Sequence, residues 1–177
     1  KMTTESPLQK QINSVIALYS NGQIEEALDS AGDLIKDYPD EALLYNISGI
    51  CYKTIGKLDE AVKSFEKALA IKSDYAEVHY NLGVTLQDLG QLDAAVKSYE
   101  QALAIKPDYA NACNNLGVTL QELGQLDAAV KSYEQALAIK PDFADAYNNL
   151  GITLKKLGQL DAAIKSYEQA LAINPDY

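Results

Sequence analysis

Apolar residues recur along this chain at helical spacing, in a pattern that restarts every 34 residues. Let Ala76–Tyr109 be the type unit, with positions numbered 1 to 34. Leu82, Gly83, Leu86 and Leu89 then fall at positions 7, 8, 11 and 14. Leu92, Ala95, Val96, Tyr99, Ala102, Leu103 and Ile105 fall at 17, 20, 21, 24, 27, 28 and 30. Each set keeps the i, i+3, i+4, i+7 spacing of one buried stripe on an amphipathic helix. Gly90 at position 15 separates the two, where a residue just past a helix end adopts a left-handed conformation cheaply only as Gly. The unit therefore reads as two helices and a tight turn. Applied to the whole chain, the pattern predicts helices over 8–19, 23–37, 41–55, 59–72, 75–89, 93–106, 109–123, 127–140, 143–157 and 161–173, and no sheet.

The repetition is close. Val84–Tyr109 and Val118–Phe143 differ only at Asp88/Glu122 and Tyr109/Phe143, and Ile152–Tyr177 is a more diverged copy. A fixed period in this range marks a stack of small supersecondary units, each touching mainly its neighbours. The expected organisation is a lead over 1–7, a degenerate first repeat over 8–41, and repeats over 42–75, 76–109, 110–143 and 144–177 forming one solenoid domain.

Glycine and proline follow the register. Gly22, Gly56, Gly90, Gly124 and Gly158 stand at position 15, and Gly49, Gly83, Gly117 and Gly151 at position 8. A Gly inside a helix costs about 1 kcal/mol against Ala, so position 8 needs a reason. Close approach of Gly83 to Ala95 is the expected one, repeated in Gly49/Ala61, Gly117/Ala129 and Gly151/Ala163. Pro39, Pro107, Pro141 and Pro175 close the units at position 32, where Ser73 stands in the second. Asp at position 33 is expected to cap the next first helix, with Glu77 completing a capping box after Asp74. Ser6 and Pro7 open the first helix in the same way.

Position 4 (Tyr45, Tyr147), Leu at 7, Gly at 8, Leu or Tyr at 11, Ala at 20, Phe65, Tyr99, Tyr133 and Tyr167 at 24, Ala at 27 and Pro at 32 together resemble the tetratricopeptide repeat. The resemblance covers essentially the whole chain. It implies an all-α, right-handed α-solenoid, a superhelix of tandem antiparallel helix pairs. The first unit departs from it, with Gln11, Ser14 and Val15 at positions 4, 7 and 8 and Ala31 at 24, and is expected to serve as an N-terminal cap. The NNLG spelling and the run KSYEQALAIKPDYA are similar to the repeat half of bacterial O-GlcNAc transferase-like arrays.

Charge narrows the partners. The chain carries a net charge of −10, and all 15 basic residues are Lys. Such a field repels phosphate backbones and anionic membranes, and bidentate grips usually use Arg. Nucleic acid and membrane are therefore not expected partners. The longest apolar run, Val15–Tyr19, is far too short to span a bilayer. No signal peptide is visible, which points to the cytoplasm, although Met2 behind Lys1 and an end at a repeat boundary read as an excised segment.

No chemistry-bearing constellation appears, so no catalytic residue, cofactor site or metal site is expected. His79 shares position 4 with Tyr45, Cys113 and Tyr147, which reads as packing; Cys51 at position 10 and Cys113 read as small core hydrophobes. The glycines are spaced for helix packing and not for a phosphate loop. Lysines at positions 22 and 31, such as Lys97 and Lys106, read as a solvated outer face.

Binding remains. Positions 3, 4, 7, 8, 10, 11 and 14 are expected inside, leaving 2, 5, 6, 9, 12 and 13 as the opposite stripe. The resemblance implies that this stripe lines a concave groove. Its candidates are Leu43, Asn46, Ile47, Ile50, Lys53 and Thr54, then Glu77, Tyr80, Asn81, Val84, Gln87 and Asp88. The fourth unit adds Asn111, Asn114, Asn115, Val118, Gln121 and Glu122; the fifth adds Asp145, Asn148, Asn149, Ile152, Lys155 and Lys156. Stacked amides at Asn81, Asn115 and Asn149, with Asn114 and Asn148 beside them, suit the backbone of an extended peptide. This is similar to the asparagine ladder of O-GlcNAc transferase arrays, and Val or Ile at position 9 supplies an apolar seam. The lysine and asparagine clamp of chaperone-binding relatives is missing.

The leading expectation is a non-catalytic protein-interaction scaffold holding an extended peptide. The alternative is a substrate-recruiting repeat domain of a larger glycosyl-, sulfo- or methyltransferase whose catalytic domain lies outside this chain. A third reading, an RNA-binding helical array, is opposed by the charge. Leu154, Leu157, Tyr167, Ala170 and Leu171 are expected to be partly uncovered and to support weak end-to-end pairing of two copies.

Overall fold

The computed structural model describes residues 4–177, so residues 1–3 of the expected lead lie outside the described residues. The described residues form ten α-helices and no strand: α1 (Pro7–Ser20), α2 (Ile24–Asp37), α3 (Ala42–Thr54), α4 (Leu58–Ile71), α5 (Ala76–Asp88), α6 (Leu92–Ile105), α7 (Ala110–Glu122), α8 (Leu126–Ile139), α9 (Ala144–Lys156) and α10 (Leu160–Ile173). Every helix expected from the apolar spacing is present.

By compactness the chain divides into two units, Lys1–Leu89 and Gly90–Tyr177. In the first, α1 packs on α2, α2 on α3, α3 on α4 and α4 on α5, with lighter contacts of α3 to α1 and α5. In the second, α6 packs on α7, α7 on α8, α8 on α9 and α9 on α10, with a lighter contact of α7 to α9. Helices joined by so short a turn must run antiparallel to touch along their length. Contacts confined to near neighbours in chain order make each unit an all-α solenoid.

The turns are made as the glycine spacing demands. Gly124 has φ +79°, in the left-handed region, as do Gly22, Gly56, Gly90 and Gly158. Around it Gly124 N–H donates to Gln121 O at 2.9 Å and Gln125 N–H to Leu120 O at 2.9 Å. This six-residue closure satisfies the last carbonyls of α7.

The first-helix caps differ from expectation. Ser6 does cap α1, its Oγ accepting from Gln9 N–H at 3.1 Å. The later caps, however, are Tyr75, Tyr109 and Phe143, none with a side-chain cap bond, so the capping box at Asp74 and Glu77 is not formed. Tyr109 N–H returns to Lys106 O at 3.2 Å, closing a β-turn with Pro107 and Asp108 at its centre. The Asp is used inside that turn and stands one residue too early to cap. The lysines at position 31 are exposed, as expected, and each lies over the ring at position 34. Lys72 lies over the Tyr75 ring at 4.7 Å, Lys106 over Tyr109 at 4.7 Å and Lys140 over Phe143 at 4.8 Å.

Position 8 is tight, but against a different neighbour from the Ala expected. A Cβ on Gly151 would lie 2.7 Å from Cε1 of Tyr167, and one on Gly49 would meet the Phe65 ring. The ring at position 24 is what forbids a side chain at position 8. In the first repeat the sizes are exchanged: Val15 and Ala31 occupy these positions, and both are buried in the core that also holds Ile12, Leu44 and Cys51. The degenerate repeat thus packs as a full helical pair.

At the last pair, Leu154 and Ala170 are buried at 7% and 1% exposure, contrary to expectation, because they close inside the α9–α10 pair. The exposed apolar face is Leu160, Ile164 and Leu171.

Candidate functional site

The candidate residues lie on α3 and α5 in the first unit, and on α7 and α9 in the second. Each of the last three carries a fully buried Thr at position 10. Thr85, Thr119 and Thr153 donate their hydroxyls to the carbonyls of Asn81, Asn115 and Asn149 at 2.8, 2.8 and 2.9 Å. The bond satisfies a buried hydroxyl within its own helix and ties the helix core to the backbone of the asparagine row.

The asparagines are wired to one another. In the first unit Asn81 Nδ2 donates to Asn46 Oδ1 at 3.0 Å. In the second, Asn149 Nδ2 donates to Asn114 Oδ1 at 3.2 Å. Asn46 and Asn114 are buried, at 4% and 7% exposure, so position 5 supports the row from beneath. Asn46 also hydrogen-bonds the Tyr75 hydroxyl, whose pKa burial first and the Glu77 charge second push up against that bond. Each bond occupies an Nδ2 proton of Asn81 or Asn149 and leaves its Oδ1 as an acceptor.

Around these pairs the position-9 residues are half-buried aliphatics, Ile50 and Val84 in the first unit and Val118 and Ile152 in the second. Glu77, Asp88, Asn111 and Lys155 are exposed; Asn148 is half-buried. Tyr80, Gln87 and Asn115 are half-buried with partners of their own. Gln121 accepts at Oε1 from the hydroxyls of Tyr133, at 3.0 Å, and Thr153, at 2.8 Å. Burial, ahead of the Glu122 charge, drives the Tyr133 hydroxyl pKa well up, against its bond with Thr153.

Two contributors escaped the sequence reading. Ile16 and Tyr19, with Leu43, Asn46, Ile47 and Ile50, line an apolar recess of about 220 Å³ in the first unit. The Tyr19 hydroxyl meets Thr54 Oγ1 at 3.2 Å. These residues hold positions 9 and 12 of the first repeat, the same stripe as the other candidates. The signal was present but lay in a unit read only as a cap.

His79 is more than packing: it is half-buried, and its Nε2 donates to Ser73 O at 2.9 Å. Ser73 stands where other units have Pro, so the imidazole ties a loop that lacks proline's stiffness. Cys51 and Cys113 are buried, and burial raises both thiol pKa values. Among the described residues no cluster of His, Cys, Asp and Glu could hold a metal ion, and no helix is long and apolar enough to cross a membrane.

A family model for the TPR repeat matches residues 52–90, 85–124 and 120–158, and tetratricopeptide-repeat models match 144–177 and 14–41. The chain belongs to the tetratricopeptide repeat family. Among solved structures it is similar to MamA, with TM-score 0.85 and 27% identity over 90% of this chain and 94% of that one. It is also similar to YrrB, a TPR protein with an unusual peptide-binding site, with TM-score 0.79 and 27% identity over 94% and 86%. Residues 41 to the end of MamA from Desulfovibrio magneticus RS-1 share the fold, with TM-score 0.87 and 19% identity over 98% of each chain. No curated protein sequence matches the chain.

Proposed function

We propose that this protein is a non-catalytic interaction scaffold that holds an extended peptide segment across the exposed stripe of its first helices. The observation that carries the reading is the wired asparagine pair. Asn81 and Asn149 are held by buried partners, and each has an amide oxygen able to accept from a peptide N–H. Asn46 and Asn114 act as positioning residues beneath them, while Val84 in the first unit, and Asn115, Val118, Gln121 and Ile152 in the second, add to the contacts. Glu77, Tyr80, Gln87, Asp88, Asn111, Asn148 and Lys155 form its margin. The likeness to YrrB, itself a TPR protein with a peptide-binding site, supports the same reading. The first helical pair serves as the cap, and the exposed face of α10 pairs weakly with a second copy.

An array of random 12-residue peptides tests the reading. The native chain is expected to retain a subset, and a variant carrying Asn81→Ala, Asn115→Ala and Asn149→Ala is expected to lose it while remaining helical. A native chain that retains no peptide, or a variant that retains the same subset, would refute it.

A further inference from the structure

The geometry points to Gln121 as a fixed hydrogen-bond donor to a backbone carbonyl oxygen of the bound segment, its amide turned outward by Tyr133 and Thr153. The inference rests on the peptide-binding reading and names the peptide atom that this residue takes.

The Tyr133 side chain is fully buried, and a buried hydroxyl must place its proton on an acceptor. Gln121 Oε1, at 3.0 Å, is that acceptor. Thr153, equally buried, shares its single proton between the same oxygen at 2.8 Å and the Asn149 carbonyl at 2.9 Å. The amide oxygen is therefore held from inside by Tyr133, with the Thr153 hydroxyl beside it. An amide with its oxygen pinned inward has its two N–H donors facing the other way. Gln121 is itself half-buried, so part of its side chain reaches the surface.

The other repeats carry the same logic in their residue types. Position 12 is Lys53 in α3 and Lys155 in α9, side chains that only donate. Lys53 accompanies Phe65 at position 24, a ring with no hydroxyl proton to place; Gln121 accompanies Tyr133. The inward acceptor thus appears with the buried hydroxyl, and the outward donor appears in both. Lys155 accompanies Tyr167, which is only half-buried and does not need the same acceptor.

Gln121 also has the right neighbour. Thr153 joins it to the Asn149 turn of α9, where the Asn149 Oδ1 is an acceptor. A donor beside an acceptor matches the alternating C=O and N–H groups of an extended chain. A carboxylate would take the same donor. The second unit, however, carries eleven Asp and Glu against seven Lys, a field that favours an uncharged carbonyl.

The experiment uses N-acetylated, C-amidated 12-residue peptides, half of them without Asp or Glu, with the full chain. Gln121→Glu keeps an oxygen for Tyr133 and Thr153 but presents an acceptor outward; roughly tenfold weaker binding with an unchanged helical spectrum is expected. Gln121→Lys keeps the donor, and is expected to bind within a few-fold of native, most stably when combined with Tyr133→Phe. Unaffected binding by Gln121→Glu, equal loss in both variants, or retention of acidic peptides only would overturn the assignment. A native chain that binds no peptide would instead sink the broader reading. The orientation is tested separately, without peptide, by exchange of the Gln121 side-chain amide protons with solvent. Fast exchange is expected, and protection would place Nε2 inside and overturn the inference.

Discussion

The ring of Tyr133 fills the space that a side chain on Gly117 would need: a Cβ there would lie 2.5 Å from Cε1. Tyr133 is fully buried, so the ring has nowhere to retreat. The same ring hands its hydroxyl proton to Gln121. One aromatic side chain therefore sets both the closeness of two helices and the orientation of an amide on the candidate face.

Gly117→Ala should destabilise the chain by roughly 1–3 kcal/mol through overpacking against that ring. The first repeat shows the complementary solution in Val15 and Ala31. Combining Gly117→Val with Tyr133→Ala should therefore cost less than the two changes summed, by about 1 kcal/mol or more. Denaturant melts of the four proteins would show it, and strict additivity would mean the two residues do not share space.

The buried Tyr133 hydroxyl makes a pH prediction. Its folded pKa is raised above the ordinary 10.0, chiefly by burial. The unfolded chain therefore loses this proton first, and the stabilisation is complete below about pH 10 and declines as pH rises beyond it. Thermal midpoints of the native chain should fall more steeply above pH 10 than those of Tyr133→Phe. Parallel profiles would remove Tyr133 as the cause.

Leu160, Ile164 and Leu171 are exposed by 58%, 53% and 44%. Leu137, in the register position of Leu171, packs against the cluster of Phe143 and Ala146. An apolar face of this kind recruits a partner. Sedimentation at rising concentration should show weak self-association, abolished by Leu160→Glu with Ile164→Glu. A monomer at every concentration would end the proposal.

Much of the fold was legible because the apolar spacing and position-15 glycines act locally, and each determines its own helix or turn. What the sequence hid depends on contacts between helices. Gly117 was expected beside Ala129 because small residues suggest close backbones, but the neighbour that matters is a large ring from position 24. Asp108 resembled a cap because it precedes a helix, yet the β-turn at Pro107 consumes it. On the candidate face, the stripe was visible, but the division of its amides was not. Asn46 and Asn81 look alike in one dimension, and only the folded chain shows that Asn46 is buried while Asn81 is half-buried above it.

The most direct test of the account is a backbone amide NMR titration of the full chain with a peptide selected from the random array. Shifts should cluster on the first helices, at Asn81, Val84, Asn115, Val118, Gln121, Asn149 and Ile152, and leave Lys97, Lys131 and Lys165 unmoved. Shifts centred on those lysines of the second helices, or spread evenly along the chain, would contradict it.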